Sequence, residues 1–138
     1  MKRVKLNQNW NADPNSPEPK IKVLTNKVCL DFFLNYFIYD HINEGQIGQL
    51  VFNNCYCYRL GSPNDHGFYL NQFRYGPNDI QWGEFYELLD SNWAVDFPND
   101  KIIVNKNLQS NNGLKHYLFF FRDNTFECIA DSYEFKYL

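Results

Sequence analysis

His116 and Asp131 flank the most explicit stretch of the chain, Lys-His-Tyr-Leu-Phe-Phe-Phe-Arg-Asp-Asn-Thr-Phe-Glu-Cys-Ile-Ala. An imidazole oriented by a carboxylate is half of a nucleophilic triad, or a general base. The pairing follows if Asp123-Asn124 is a two-residue turn tolerating positive φ, so that Arg122 faces Thr125 and His116 faces Asp131 across an antiparallel hairpin. No serine in a Gly-x-Ser-x-Gly elbow completes a triad, and no cysteine shares that face. A cross-strand ion pair explains the placement without catalysis, and Arg122 with Glu127 reads the same way. Glu84 and Glu87, beside Trp82 in Trp-Gly-Glu-Phe-Tyr-Glu, form a second constellation, because carboxylates among aromatics suit a sugar cleft. On a strand, however, these two acids point apart. Asp40-His41 and Asp65-His66 are adjacent pairs at strand boundaries, where adjacency argues against cooperation. Cys55-x-Cys57 lacks metal-knuckle spacing and has no second pair after it, so no metal is expected. No phosphate loop, dinucleotide fingerprint or His-Glu-x-x-His occurs, and no cofactor is expected.

These residues need strands to position them. Alternation sorts the hairpin into a face of Tyr117, Phe119, Phe121, Phe126, Cys128 and Ala130, and a mixed face of His116, Leu118, Phe120, Arg122, Glu127, Ile129 and Asp131. A long strand is expected over 28–38, with Val28, Leu30, Phe32, Leu34, Tyr36 and Ile38 in one apolar row. Further strands are expected over 46–60, 68–75, 101–105 and 133–137. Residues 82–89 fit a strand or one short helix, with Gly83 and the aromatics favouring strand. Pro-Asn-Asp occurs at 63–65, 77–79 and 98–100, where proline presets the first central position of a type I turn. Residues 1–19, with three prolines and much asparagine, are expected to be an irregular segment pinned by Trp10.

Composition agrees. The 138 residues suit one domain and carry 13 Phe, 10 Tyr and 3 Trp against a single Met, while Asn occurs nineteen times. Strand and turn formers therefore dominate over helix formers. The expected fold is all-β, an antiparallel sandwich or barrel of about eight strands. The net charge of −3 offers no basic footprint for nucleic acid. No apolar run nears the roughly 18 residues needed to cross a bilayer. No apolar leader opens the chain, so the cytosol is the expected compartment, with Cys29, Cys55, Cys57 and Cys128 reduced.

The segments Tyr-Arg-Leu-Gly-Ser-Pro-Asn-Asp at 58–65, Trp-Gly-Glu-Phe-Tyr at 82–86, and 116–135 resemble small cytosolic bacterial proteins of unknown function. The resemblance implies a bacterial source and no named activity. On the residues themselves, the leading expectation is a non-enzymatic protein-binding module. Its contact surface would be Leu118, Phe120 and Ile129, rimmed by His116, Arg122, Glu127 and Asp131. The partner would be a second copy or a bacterial protein, as for a small protein that neutralises a toxin. A ligand-binding barrel lined by Asp31, Asn35, Arg59 and Arg74 is one alternative, and an enzyme using Glu84 or Glu87 on a sugar-like substrate another.

Overall fold

A computed structural model describes residues 2–61 and 80–138. The expected strand at 68–75, the turns at 63–65 and 77–79, Asp65-His66 and Arg74 lie outside the described residues. Among the described residues ten strands run in chain order: β1 (Arg3–Lys5), β2 (Lys20–Leu24), β3 (Lys27–Phe33), β4 (Ile47–Asn53), β5 (Cys57–Gly61), β6 (Phe85–Leu88), β7 (Ile102–Ile103), β8 (Lys115–Phe120), β9 (Thr125–Ala130) and β10 (Ser132–Tyr137). Helix α1 (Trp93–Asp96) and a 3-10 turn (Lys106–Leu108) interrupt them. The strands form two antiparallel sheets, ordered β1-β6-β8-β9-β5-β7 and β10-β4-β3-β2.

The two sheets pack face to face. Phe52 of β4 meets Phe85, Tyr117 and Phe126 of the larger sheet at ring-centroid distances of 5.9, 5.4 and 5.4 Å, and Phe32 of β3 meets Phe119 at 4.9 Å. Val28, Leu30, Phe32 and Leu34 all enter this core, as the apolar row requires. The architecture is the sandwich, not the barrel: among the described residues the strands form two separate antiparallel sheets and no closed barrel. Asp31 instead lies on the outer side of the smaller sheet, where it accepts from Gln49 Nε2 at 2.8 Å.

Three expectations change in detail. The long strand stops at Phe33, because Asn35 Oδ1 accepts from Phe37 N at 3.0 Å and turns the chain, which places Phe37 and Ile38 in a turn. The run 46–60 is two strands in different sheets, broken at Asn54, whose φ of +49° is tolerable for asparagine. The hairpin turn sits one residue earlier than the sequence suggests. Phe121 N donates to Asn124 O at 2.9 Å and Phe120 pairs with Thr125, so Arg122 and Asp123 form the loop without positive φ. That step moves His116 from opposite Asp131 to opposite Ile129, but it preserves the period-two sorting of faces.

The N-terminal segment is partly regular. β1 pairs with β6, and Trp10 anchors the rest by stacking on Phe135 with centroids 4.0 Å apart and planes 5° apart. The 82–89 stretch resolves as strand over β6, preceded by a turn at Gly83. At the opposite flank, β2 is an open edge with Lys20 and Lys22 exposed alongside Val23 and Leu24.

Truncation separates core from surface: Phe52→Ala is expected to cost about 3–5 kcal/mol in urea unfolding, whereas Phe37→Ala, more than half exposed, stays within about 0.5 kcal/mol.

Candidate functional site

The outer face of the β8–β9 hairpin is roofed over within the monomer. Leu118 and Phe120 pack with Ile80, Tyr86 and Leu88, and Ile129 packs with Tyr56, Cys57, Phe97 and Leu114; all three are fully buried. His116 and Glu127 are buried beside them, while Arg122 lies exposed in the turn and Asp131 exposed at the end of β9. The seven residues thus divide between a sealed layer and two surface positions. Alternation cannot reveal a second covering layer, since an apolar residue under a loop and one facing water have the same periodicity.

Under that roof runs a chain of polar contacts. Glu127 sits directly opposite Arg59 of β5 and diagonally from His116 of β8. Its Oε2 lies 2.9 Å from His116 Nε2, and its Oε1 lies 3.7 Å from Arg59 Nη1. Arg59 also grips Asp100 with two bonds, Nε to Oδ1 at 2.9 Å and Nη2 to Oδ2 at 3.0 Å. Beyond the imidazole, Ser91 Oγ lies 2.6 Å from Nδ1. His116 therefore partners Glu127, not Asp131: the register sets both acids two residues from Ile129, but Asp131 lies beyond the end of β9, exposed, where its N–H donates to Asn53 O. A Ser-His-Glu order has the connectivity of a nucleophile, base and orienting acid. Here the histidine and the carboxylate are both only 1% exposed, and Arg59 on the neighbouring strand brings a cation to the buried carboxylate. Ser91 and Asp100 carry no spacing signal that sequence could have used, since both sit in loops far along the chain from their partners.

The acids of the Trp82 region separate as well. Glu84 is buried and accepts from Asn7 Nδ2 and from Asn11 Nδ2, the latter at 3.0 Å, with Lys5 Nζ 3.4 Å away. It fastens the N-terminal segment to the sandwich. Glu87 lies across from Tyr117 on the inner side of β6, where its charge adds to burial in pushing the phenols of Tyr117 and Tyr133 up. The two carboxylates face different surroundings.

Of the openings at the surface, two draw together aromatic and polar side chains. A cleft of about 250 Å³ brings Trp82 and Arg122 together with Asn11, Asp13, Asn35 and Phe121. A wider groove of about 540 Å³ is lined by Ile38, Tyr39, Asp40, His41 and Tyr137. Its aromatic wall is continuous, with His41 edge-on to Tyr39 at 5.9 Å and to Tyr137 at 6.1 Å. Ile38 is 64% exposed, Leu138 58%, Phe37 55% and Tyr137 44%. The Phe37–Ile38 part of this patch was hidden from sequence reading because those residues were assigned to a strand row.

The chain matches no family model, no curated protein and no solved structure. No described helix is long and apolar enough to cross a membrane, and no described group of His, Cys, Asp or Glu is arranged to hold a metal.

All four cysteines are free and buried. Burial, reinforced by Cys55, pushes the Cys57 thiol from 9.0 up to about 12, and Cys128 also rises for want of solvation. A thiol protonated when folded but ionising near its ordinary value when unfolded favours the unfolded state as pH rises. Stability is therefore expected to be intact below pH 9 and to fall between about 9 and about 12, with a shallower fall in Cys57→Ala; urea titrations across that range measure it. In the polar chain, Glu127→Ala removes the partner of His116 Nε2 and one of the two carboxylates at Arg59, which keeps Asp100, and is expected to cost about 2–3 kcal/mol, against about 1 kcal/mol for Ser91→Ala.

Proposed function

We propose that this protein is a non-enzymatic protein-binding module whose contact surface is the aromatic groove between the 38–41 loop and the end of β10. The observation that carries the reading is the exposure of Ile38 and Tyr137 on the walls of one groove, with exposed Phe37 and Leu138 next to them in the chain. Exposed aliphatic residues are ordinary singly, but a contiguous patch around Tyr and His has the composition of an interface centre. Its polar lining is Gln8, Asn9, Asp40 and His41, with one acid and no Lys or Arg. That lining, on a chain of net charge −3, suits a partner with an apolar knob set in a basic surface. A bacterial, cytosolic setting, as the sequence resemblance implies, makes neutralisation of a basic toxin the form of this reading. The covered face of the hairpin supports it by stiffening the scaffold, not by touching the partner.

Aromatic anchors at interface centres contribute about 2 kcal/mol or more each, or about thirtyfold in affinity. The paired substitution Ile38→Asp with Tyr137→Ala is expected to weaken binding of the purified partner by at least that factor in calorimetry, with unchanged circular dichroism. Lys22→Ala, on the β2 edge, is expected to leave affinity within about twofold. A partner that binds the doubly substituted protein as tightly as the original, or a chain whose only complex is a dimer insensitive to it, overturns the groove as the interface.

A further inference from the structure

We propose that the cleft between the N-terminal segment and the hairpin turn is a binding site for one neutral polyhydroxylated ring, such as a single sugar. This goes beyond the protein-binding groove, whose lining residues are different.

The walls come from four distant segments and are fixed by backbone bonds. Ala12 N donates to Gly83 O at 3.0 Å, Asn35 N to Asn11 O at 3.0 Å, Asp13 N to Phe33 O at 2.9 Å, and Gly83 N to Phe120 O at 2.8 Å. Gly83 has φ of +78°, and a Cβ there would stand 3.3 Å from Ala12 O, so the close approach requires glycine. A site built this way is formed before its ligand arrives.

Its polar groups are both donors and acceptors, and two of them are buried amides with a function to spare. Asn11 is 91% buried; its Nδ2 is committed to Glu84, and its Oδ1, sealed from solvent in a residue that lines the cleft, has no hydrogen-bond partner. Asn35 is 95% buried; its Oδ1 is committed to Phe37 N, which leaves Nδ2 as a donor. Asp13 uses Oδ1 for Asn15 N and Ser16 N at 2.8 and 3.1 Å, so Oδ2 remains to accept. Arg122 is steadied by donating Nη1 to Asn15 O at 3.0 Å and keeps further N–H groups. A hydroxyl donates and accepts at once, so a ring bearing several of them satisfies this mixture. An anion would meet Asp13 and a cation would meet Arg122, and the two charges cancel for a neutral ligand. Trp82, Phe121 and Pro14 supply apolar surface for the C–H face of such a ring. At about 250 Å³ the cleft falls below the roughly 300–1,000 Å³ of drug-sized sites, which limits the ligand to one ring.

The test is titration of the ¹⁵N-labelled full chain with a panel of neutral monosaccharides and their methyl glycosides, each to about 10 mM. The expected result is saturable shifts of the Trp82 indole and the Asn11 and Asn35 side-chain amides, with a Kd on the order of 1 mM. Arg122→Gln, at an exposed position, is expected to weaken that binding about tenfold with the remaining spectrum unchanged. Equal binding of methyl glycosides assigns the site to a glycan terminus, and binding of the free sugars alone assigns it to a soluble sugar. Absence of shifts at these three residues across the panel, or shifts that persist undiminished in both Arg122→Gln and Trp82→Ala, overturns the proposal.

Discussion

Two strand pairs change sheets together, and the rest of the sandwich depends on that joint crossing. β4 and β10 are neighbours in the smaller sheet, whereas their chain continuations, β5 and β9, are neighbours in the larger. Between β9 and β10 there is one residue, Asp131, whose N–H donates to Asn53 O at 3.0 Å, and the other crossing is held by Tyr56 N donating to Ile129 O at 2.8 Å. Asn54 adds a side-chain bond to Asp131 Oδ2 at 3.4 Å. Because backbone groups leaving one ladder must find partners in the next, these bonds let both chains turn the corner without orphaned donors. They also fix the angle at which Phe52 meets Phe85, Tyr117 and Phe126, and so the whole core.

From that corner, two consequences run outward in opposite directions. Toward the interior of the larger sheet, β9 carries Glu127 into a layer where an isolated carboxylate would be costly, and Arg59 and His116 on its two neighbours supply compensation. Toward the smaller sheet, β10 delivers Phe135 onto Trp10 and Tyr137 to the rim of the groove. The same short strand thus locks the N-terminal segment and presents a recognition residue, which ties surface shape to core geometry.

Much of this was legible. Alternation and aromatic abundance pointed to an antiparallel sandwich or barrel, and Val28 to Leu34 and the inner hairpin face are core as their period predicts. What escaped was non-local. The sheet change at Asn54 leaves no mark in a run that alternates on both sides of it. The hairpin turns one residue earlier, at Arg122-Asp123, where the bond from Phe121 N to Asn124 O closes it in place of the Asp-Asn pair. The polar chain through Ser91 joins loops to strands over distances along the chain that no local pattern encodes. Trp82 and Arg122 were each legible as candidates, but for separate places; only folding puts them in one cleft.

The edge strand β2 carries a lysine at every second place, at Lys20 and Lys22, beside exposed Val23 and Leu24. An added strand bearing a similar pattern would set ammonium groups close to one another, an arrangement that disfavours growth of the sheet. Extension by strand addition is thereby discouraged at this margin, where apolar side chains are exposed. The molecule's sociability is steered away from its backbone and toward shaped concavities, where side-chain identity rather than generic hydrogen bonding decides who is admitted.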